Sequence, residues 1–142
     1  MLNTPRSHGG GMVTAPHHLA SQAGAAVLRQ GGNAADAMIA MAAAIAVVYP
    51  HMNSIGGDSF WLAAAPGDSP VGIQACGPAA RLATPDLYFE RGHDEIPSRG
   101  PLAALTVAGT LGGWQRALEL SHRWAGGWGS TLSCPTLSAT AA

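Results

Sequence analysis

The fold is decided by one stretch, Leu28-Arg-Gln-Gly-Gly-Asn-Ala-Ala-Asp-Ala-Met-Ile-Ala-Met-Ala-Ala-Ala-Ile-Ala-Val-Val48, followed by Tyr49-Pro50. Gly31-Gly32 stops whatever helix precedes it. Asn33 then supplies a side-chain oxygen for the Asp36 backbone N–H, and Asp36 places a carboxylate at the positive end of a new helix. From Ala34 to Val48 the chain is apolar on every side apart from Asp36, which predicts a helix buried all round and ended by Pro50. Upstream, Leu19, Ala23, Ala26 and Val27 recur at helical spacing, so His17 to Gln30 reads as an amphipathic helix. Two helices joined by a tight Gly-Gly-Asn turn therefore form the centre of the segment.

Working outward, Gly11-Met-Val-Thr-Ala15 is a short β-prone run halted by Pro16, and residues 1–10 read as a disordered N-terminus. After the helices, His51 to Asp58 is a loop with two adjacent glycines. Ser59 to Ala65 and Val71 to Cys76 read as two strands joined by a turn at Pro66-Gly-Asp-Ser69. Leu105-Thr-Val107 is strand-like. Trp114 to Trp124 reads as a helix that buries Trp114, Ala117, Leu118 and Ser121 and turns Arg116, Glu119 and Arg123 outward. The tail from Gly126 to Ala142 has no charge and no period, and an unstructured end is expected.

Composition narrows the function classes. The chain has 142 residues, of which 47% are hydrophobic and 11% charged, with a net charge of −1. Its seven cations are all Arg, and 28 Ala stand beside 19 Gly. With no basic stripe there is nothing to neutralise phosphates, so nucleic acid is not an expected partner. The Ala34–Val48 helix is too short to span a bilayer of about 30 Å and carries Asp36, so no membrane span is expected. The N-terminus has no apolar h-region, which favours the cytoplasm. Cys76 and Cys134 make neither a disulfide framework nor a zinc motif; they pair once or remain free thiols.

Chemistry-bearing motifs are sparse. Gly57-Asp-Ser-Phe60 has the look of a serine-hydrolase block, but no Asp is followed by His three positions later, and the same Gly-Asp-Ser string recurs in the turn at 67–69. The six His show no i,i+4 pair and no HExxH, so no metal is expected. The glycine clusters match neither dinucleotide nor P-loop spacing, and the chain lacks the P-loop Lys. From residue chemistry alone, the reading is a soluble α+β or layered α/β segment without a catalytic constellation.

Ordered strings across residues 11–125 carry a family resemblance. Gly11-Met-Val-Thr-Ala-Pro-His17, Ala23-Gly24 and Leu28 to Ala34 come first. Val48-Tyr-Pro-His-Met52 with Ile55-Gly-Gly-Asp58, Ala83-Thr-Pro-Asp-Leu-Tyr88, Arg99-Gly-Pro-Leu-Ala103, Thr106-Val107, Gly109 and Gly113-Trp114 follow in sequence. Together they resemble the beginning of the large subunit of a γ-glutamyltranspeptidase. The resemblance implies an α+β N-terminal-nucleophile hydrolase fold, layered αββα, here as an incomplete fragment.

It also implies a longer precursor that cleaves itself before a Thr, whose hydroxyl then attacks a γ-glutamyl amide, typically of glutathione. The acyl group goes to water or an amino-acid acceptor. No cofactor is implied, and the partners are the small γ-glutamyl donor, its acceptor and the remainder of the enzyme.

Three departures qualify what the resemblance implies. The segment supplying the nucleophile is absent, none of Thr110, Thr131, Thr136 or Thr140 stands in such a context, and so no catalytic residue is assigned and the chain alone is expected to be inactive. Typical members grip the donor's α-carboxylate with an Arg ahead of the Ala-Thr-Pro-Asp string, a task suited to a guanidinium fork. Cys76 occupies that position, which leaves Arg81 as the candidate substrate-binding residue and opens a related amide acylase, or a catalytically dead remnant or interaction module, as alternatives. The tail from 126 onward departs from the family pattern, as a truncated or frameshifted reading frame would. A fragment of this kind is expected to be poorly stable by itself, because its apolar helix needs cover from the missing part.

Overall fold

In the computed structural model, residues 6–8, 10–103 and 106–128 are described. Strands β1 (Arg6–His8) and β2 (Gly11–Val13) form an antiparallel hairpin, with Ser7 opposite Met12. Helices α1 (His18–Arg29) and α2 (Ala34–Val48) follow, then strands β3 (Ser59–Ala63) and β4 (Val71–Ala75) in a second antiparallel pair. A short helix α3 (Pro85–Glu90), a 3-10 turn (Pro101–Ala103) and a long helix α4 (Thr110–Trp128) complete the described chain. The mixture of helix and strand is the α+β class read from the sequence.

The α1–α2 pair forms as its local signals dictate. His17 caps α1, its Nδ1 accepting the Leu19 N–H at 3.3 Å, and Gly31 turns the chain with φ +88°. Asn33 Oδ1 accepts the Asp36 N–H at 3.0 Å while Asp36 Oδ2 accepts the Asn33 N–H at 3.2 Å, a reciprocal capping box. Small residues set the approach of the two helices. Val13, Ala25, Val27, Ala37, Ala40 and Met41 form one buried cluster and Ala20, Ala23 and Ala44 another. A Cβ on Gly24 would lie 2.5 Å from Met41 Sδ, so the bare position makes room for the Met41 side chain where it now packs.

Four expectations are corrected. Residues 6–8 are not part of a disordered N-terminus: they pair with β2, which gives their backbone groups partners. The α2 helix is not covered on all sides, since Met38 is 48% and Val47 62% exposed. The elements present bury only the side carrying Asp36, Ala37, Ile39, Ala40, Met41, Ala43 and Ala44.

The fourth helix begins at Thr110 rather than Trp114 and runs on to Trp128, past the expected start of the tail at Gly126. Its early start is tertiary: the Gly57 carbonyl accepts the Gly109 and Thr110 N–H groups, each at 3.0 Å, which supplies the acceptor that opening amides lack. Helix α3 went unread although Thr84-Pro-Asp86 spells a start. Thr84 Oγ1 accepts the Leu87 N–H at 3.4 Å and Pro85 fills the first helical position. The remaining tail, with Cys134, Thr131, Thr136 and Thr140, lies outside the described residues, as does Leu105.

Gly109, just before α4, and Gly112, inside it, should respond oppositely to the same substitution. A Cβ at Gly109 would sit 2.4 Å from the Ala75 carbonyl oxygen, whereas one at Gly112 meets nothing within 4 Å. Gly109→Ala is expected to destabilise the chain by roughly 1–3 kcal/mol. Gly112→Ala should stabilise it by up to about 1 kcal/mol through helix propensity. Denaturant melts of the two variants check both signs.

Candidate functional site

A cavity of about 880 Å³ opens between α2, β3 and α4. Its walls are apolar: Met38 and Ile45 from α2, Phe60 and Leu62 from β3, Trp114 and Leu120 from α4. Phe60 and Leu62 are 72% and 82% exposed, although alternation along a strand brings them to one face and both are large. The lining also carries polar residues, among them Asn53, Ser54, Asp58, Ser59 and Thr110.

Thr110 is held in place by the Gly57 carbonyl. Besides the two backbone donors, it accepts Thr110 Oγ1–H at 2.6 Å. Asp58 beside it accepts Thr106 Oγ1–H at 3.2 Å. Ser59 Oγ accepts Trp61 Nε1–H at 3.3 Å. The close packing of α4 on the hairpin needs Gly113, where a Cβ would fall 2.6 Å from both Ala75 Cβ and Ser59 Oγ.

A second polar cluster, which includes the cavity-lining Asn33 and which local sequence does not reveal, joins α2 to α4. Ser121 Oγ–H donates to Asp36 Oδ1 at 2.5 Å and accepts Asn33 Nδ2–H at 2.8 Å. Asp36 and Ser121 are both 0% exposed and lie 85 positions apart. The Asp36–Asn33 half of this cluster was legible as a helix cap. Nothing local marks Ser121 as its partner beyond its place on the inner face of α4.

The residues singled out from sequence are not brought together. Cys76 is a half-buried free thiol immediately after β4, and Arg81 is exposed in the turn that precedes α3. Neither lines the cavity. Thr110 is buried and spends its hydroxyl on Gly57, so it is a structural residue. Among the described residues no three His, Cys, Asp or Glu side chains gather into a group that could hold a metal ion, and no helix is long and apolar enough to cross a membrane. On the outer face of α4, the Arg116 hydrogen bond at 2.8 Å holds the exposed Glu119 carboxyl below its ordinary range.

Two helices packed through small residues, followed by an antiparallel hairpin and a capped amphipathic helix, define a piece of an N-terminal-nucleophile hydrolase. The chain belongs to the γ-glutamyltranspeptidase family, whose profile matches residues 20–125. It is 59% identical over 112 residues to the oxamate amidohydrolase proenzyme of Klebsiella pneumoniae, covering 79% of this chain and 21% of that protein. It is 45% identical over 109 residues to the glutathione hydrolase-like YwrD proenzyme of Bacillus subtilis, covering 76% of this chain and 20% of that protein. The crystal structure of Helicobacter pylori γ-glutamyltranspeptidase superposes with a TM-score of 0.79 at 29% identity, over 96% of this chain and 37% of that one. The chain thus spans about a fifth of the length of the curated relatives it matches.

Because Arg81 is exposed and outside the cavity, Arg81→Ala is expected to leave stability within about 0.5 kcal/mol of the parent. A urea melt checks this. Once stability is shown to be unchanged, the variant can report on substrate binding alone.

Proposed function

We propose that this chain is the N-terminal part of an amide-hydrolysing proenzyme of the γ-glutamyltranspeptidase family. In this reading its Thr nucleophile is supplied by polypeptide outside these 142 residues. The observation that carries the proposal is the cavity between α2, β3 and α4, whose Phe60, Leu62 and Met38 walls are those of half a core. A two-stranded sheet with an exposed apolar face needs a further layer before it is stable in water. The short share of the relatives' length covered by this chain supports the same reading.

The chemistry then follows the family resemblance. The Thr hydroxyl attacks the amide carbonyl with its own amine as base, the amine or ammonia leaves, and water releases the acyl group. The segment described here contributes framework to that site, and by itself it should not turn over any amide.

For the substrate, we infer a small amide acid of the oxamate kind. Cys76 stands where the resemblance places the glutamyl-gripping Arg, and a thiol cannot make a bidentate contact with a carboxylate. The relative with 59% identity is named for oxamate. Transfer or hydrolysis of γ-glutamyl groups of glutathione, with Arg81 holding the donor, is the second reading. The 45% identity to a glutathione hydrolase-like protein favours it.

A chimera decides between them. Residues 11–125 replace the matching segment of the Klebsiella proenzyme, which supplies everything else. The expected result is maturation into two subunits and ammonia release from oxamate, with no p-nitroaniline from γ-glutamyl-p-nitroanilide. Release of p-nitroaniline, abolished by Arg81→Ala, would establish the second reading. A chimera that neither matures nor acts on either substrate would mark the segment as a catalytically dead remnant.

A further inference from the structure

We propose that His17 is a proton-gated cap: as a neutral imidazole it starts α1, and on taking up a proton it releases the first turn of that helix. The inference is independent of which amide the family chemistry acts on.

The first observation is the kind of residue that does the capping. His17 follows Pro16 and has the extended backbone of a cap residue, φ −123° and ψ 134°. Helix starts are ordinarily closed by the side-chain oxygen of Ser, Thr, Asp or Asn. At α1 the acceptor is a ring nitrogen, Nδ1, which takes the Leu19 N–H at 3.3 Å. An N–H can donate to Nδ1 only where that atom carries a lone pair, so the capping ring is neutral with its proton on Nε2. A proton on Nδ1 turns the acceptor into a donor that faces another donor. The same proton puts a positive charge at the N-terminus of α1, where the helix dipole is positive as well. Asn33, which caps α2 through an amide oxygen, has no such dependence.

The second observation is what surrounds the ring. His17 stacks on His18, with ring centroids 4.6 Å apart. From the end of α2 the tilted Tyr49 ring stands 6.4 Å away, outside the roughly 6 Å reach of a cation–π contact. Tyr49 in turn meets His51 of the following loop at 4.2 Å. These are the titratable groups gathered around the cap, and among the described residues no carboxylate pairs with any of the three imidazoles. A positive charge on His17 therefore meets a second imidazole able to charge and no counter-ion.

Release of the cap acts on one end of the helix pair. Ala20 and Ser21 of the first turn are buried, and the Ser21 N–H donates to the His17 carbonyl at 3.2 Å. Ala20 packs with Ala23 and Ala44, flanked by Ala15 and Ile45, at the open end of the pair. The larger cluster around Val27 and Met41 lies toward the Gly31-Gly32 turn. Acid therefore loosens the joint between β2 and α1 and leaves the closed end packed. The sign follows from linkage: the capped state takes only the neutral ring, so its contribution is present at high pH and lost as the pH falls.

Amide exchange of the whole 142-residue chain, resolved by NMR and referred to the intrinsic rate at each pH, tests this. From about pH 8 to about pH 5, the range over which imidazoles change charge, protection of the Leu19 and Ser21 amides is expected to fall. The expected loss is roughly threefold to tenfold, the worth of one cap, while residues 34–48 keep their protection. His17→Asn, whose cap oxygen does not titrate, should hold the protection at both pH values, and His17→Ala should lack it at both. No pH dependence at Leu19 and Ser21 in the parent, an unchanged dependence in His17→Asn, or an equal loss across residues 34–48 would each overturn the proposal. So would a neutral His17 ring with its proton on Nδ1, read from its nitrogen chemical shifts.

Discussion

Close approach of α1 and α2 is the constraint on which the rest of the structure depends. It is achieved with side chains no larger than Ala at most contact positions, and with none at Gly24, which faces Met41. Dispersion attraction falls off steeply with separation, so small residues gain by letting backbones and the few larger groups meet. Val13 of β2 joins the same cluster, which ties the first hairpin to the pair. Asp36, buried at the start of α2, then offers the one carboxylate to which Ser121 of α4 is keyed.

Legibility from sequence follows the range of each interaction. The Gly31-Gly32-Asn33 turn, the Asn33–Asp36 cap and the span of α2 are local, and all three were readable because the partners lie within a few residues. The extent of α4 was not, because its first acceptor is the carbonyl of Gly57, more than fifty positions away. Gly113 serves close packing against Ala75 and Ser59, partners that no local pattern names. The exposure of Met38 and Val47 on α2 was illegible for another reason. An apolar helix states what it needs to bury, and whether a covering element is present is a property of the remaining polypeptide.

The candidate site was legible only as a succession of strings. No single motif in residues 11–125 carries chemistry, and the family emerged from their order. What the structure adds is the architecture around these residues. Ser59 is engaged by Trp61, Thr110 by Gly57, and Cys76 and Arg81 sit away from the cavity. The Asp36 carboxylate, read as a first-turn helix residue, turns out to be that and also the anchor of a second helix. Its double use explains why an acid is retained in an otherwise apolar run.

In the function proposed above, the faces of α2, β3 and α4 around the cavity are half of a core whose other layer is separate polypeptide. Binding of a fluorescent apolar dye measures this most directly, by comparing the isolated chain with the same segment built into the matured Klebsiella chimera. Strong dye binding is expected from the isolated chain, abolished when Phe60 and Leu62 are both replaced by Ser, and none at this segment in the chimera. An isolated chain that binds no dye and melts as a sharp cooperative monomer would contradict it.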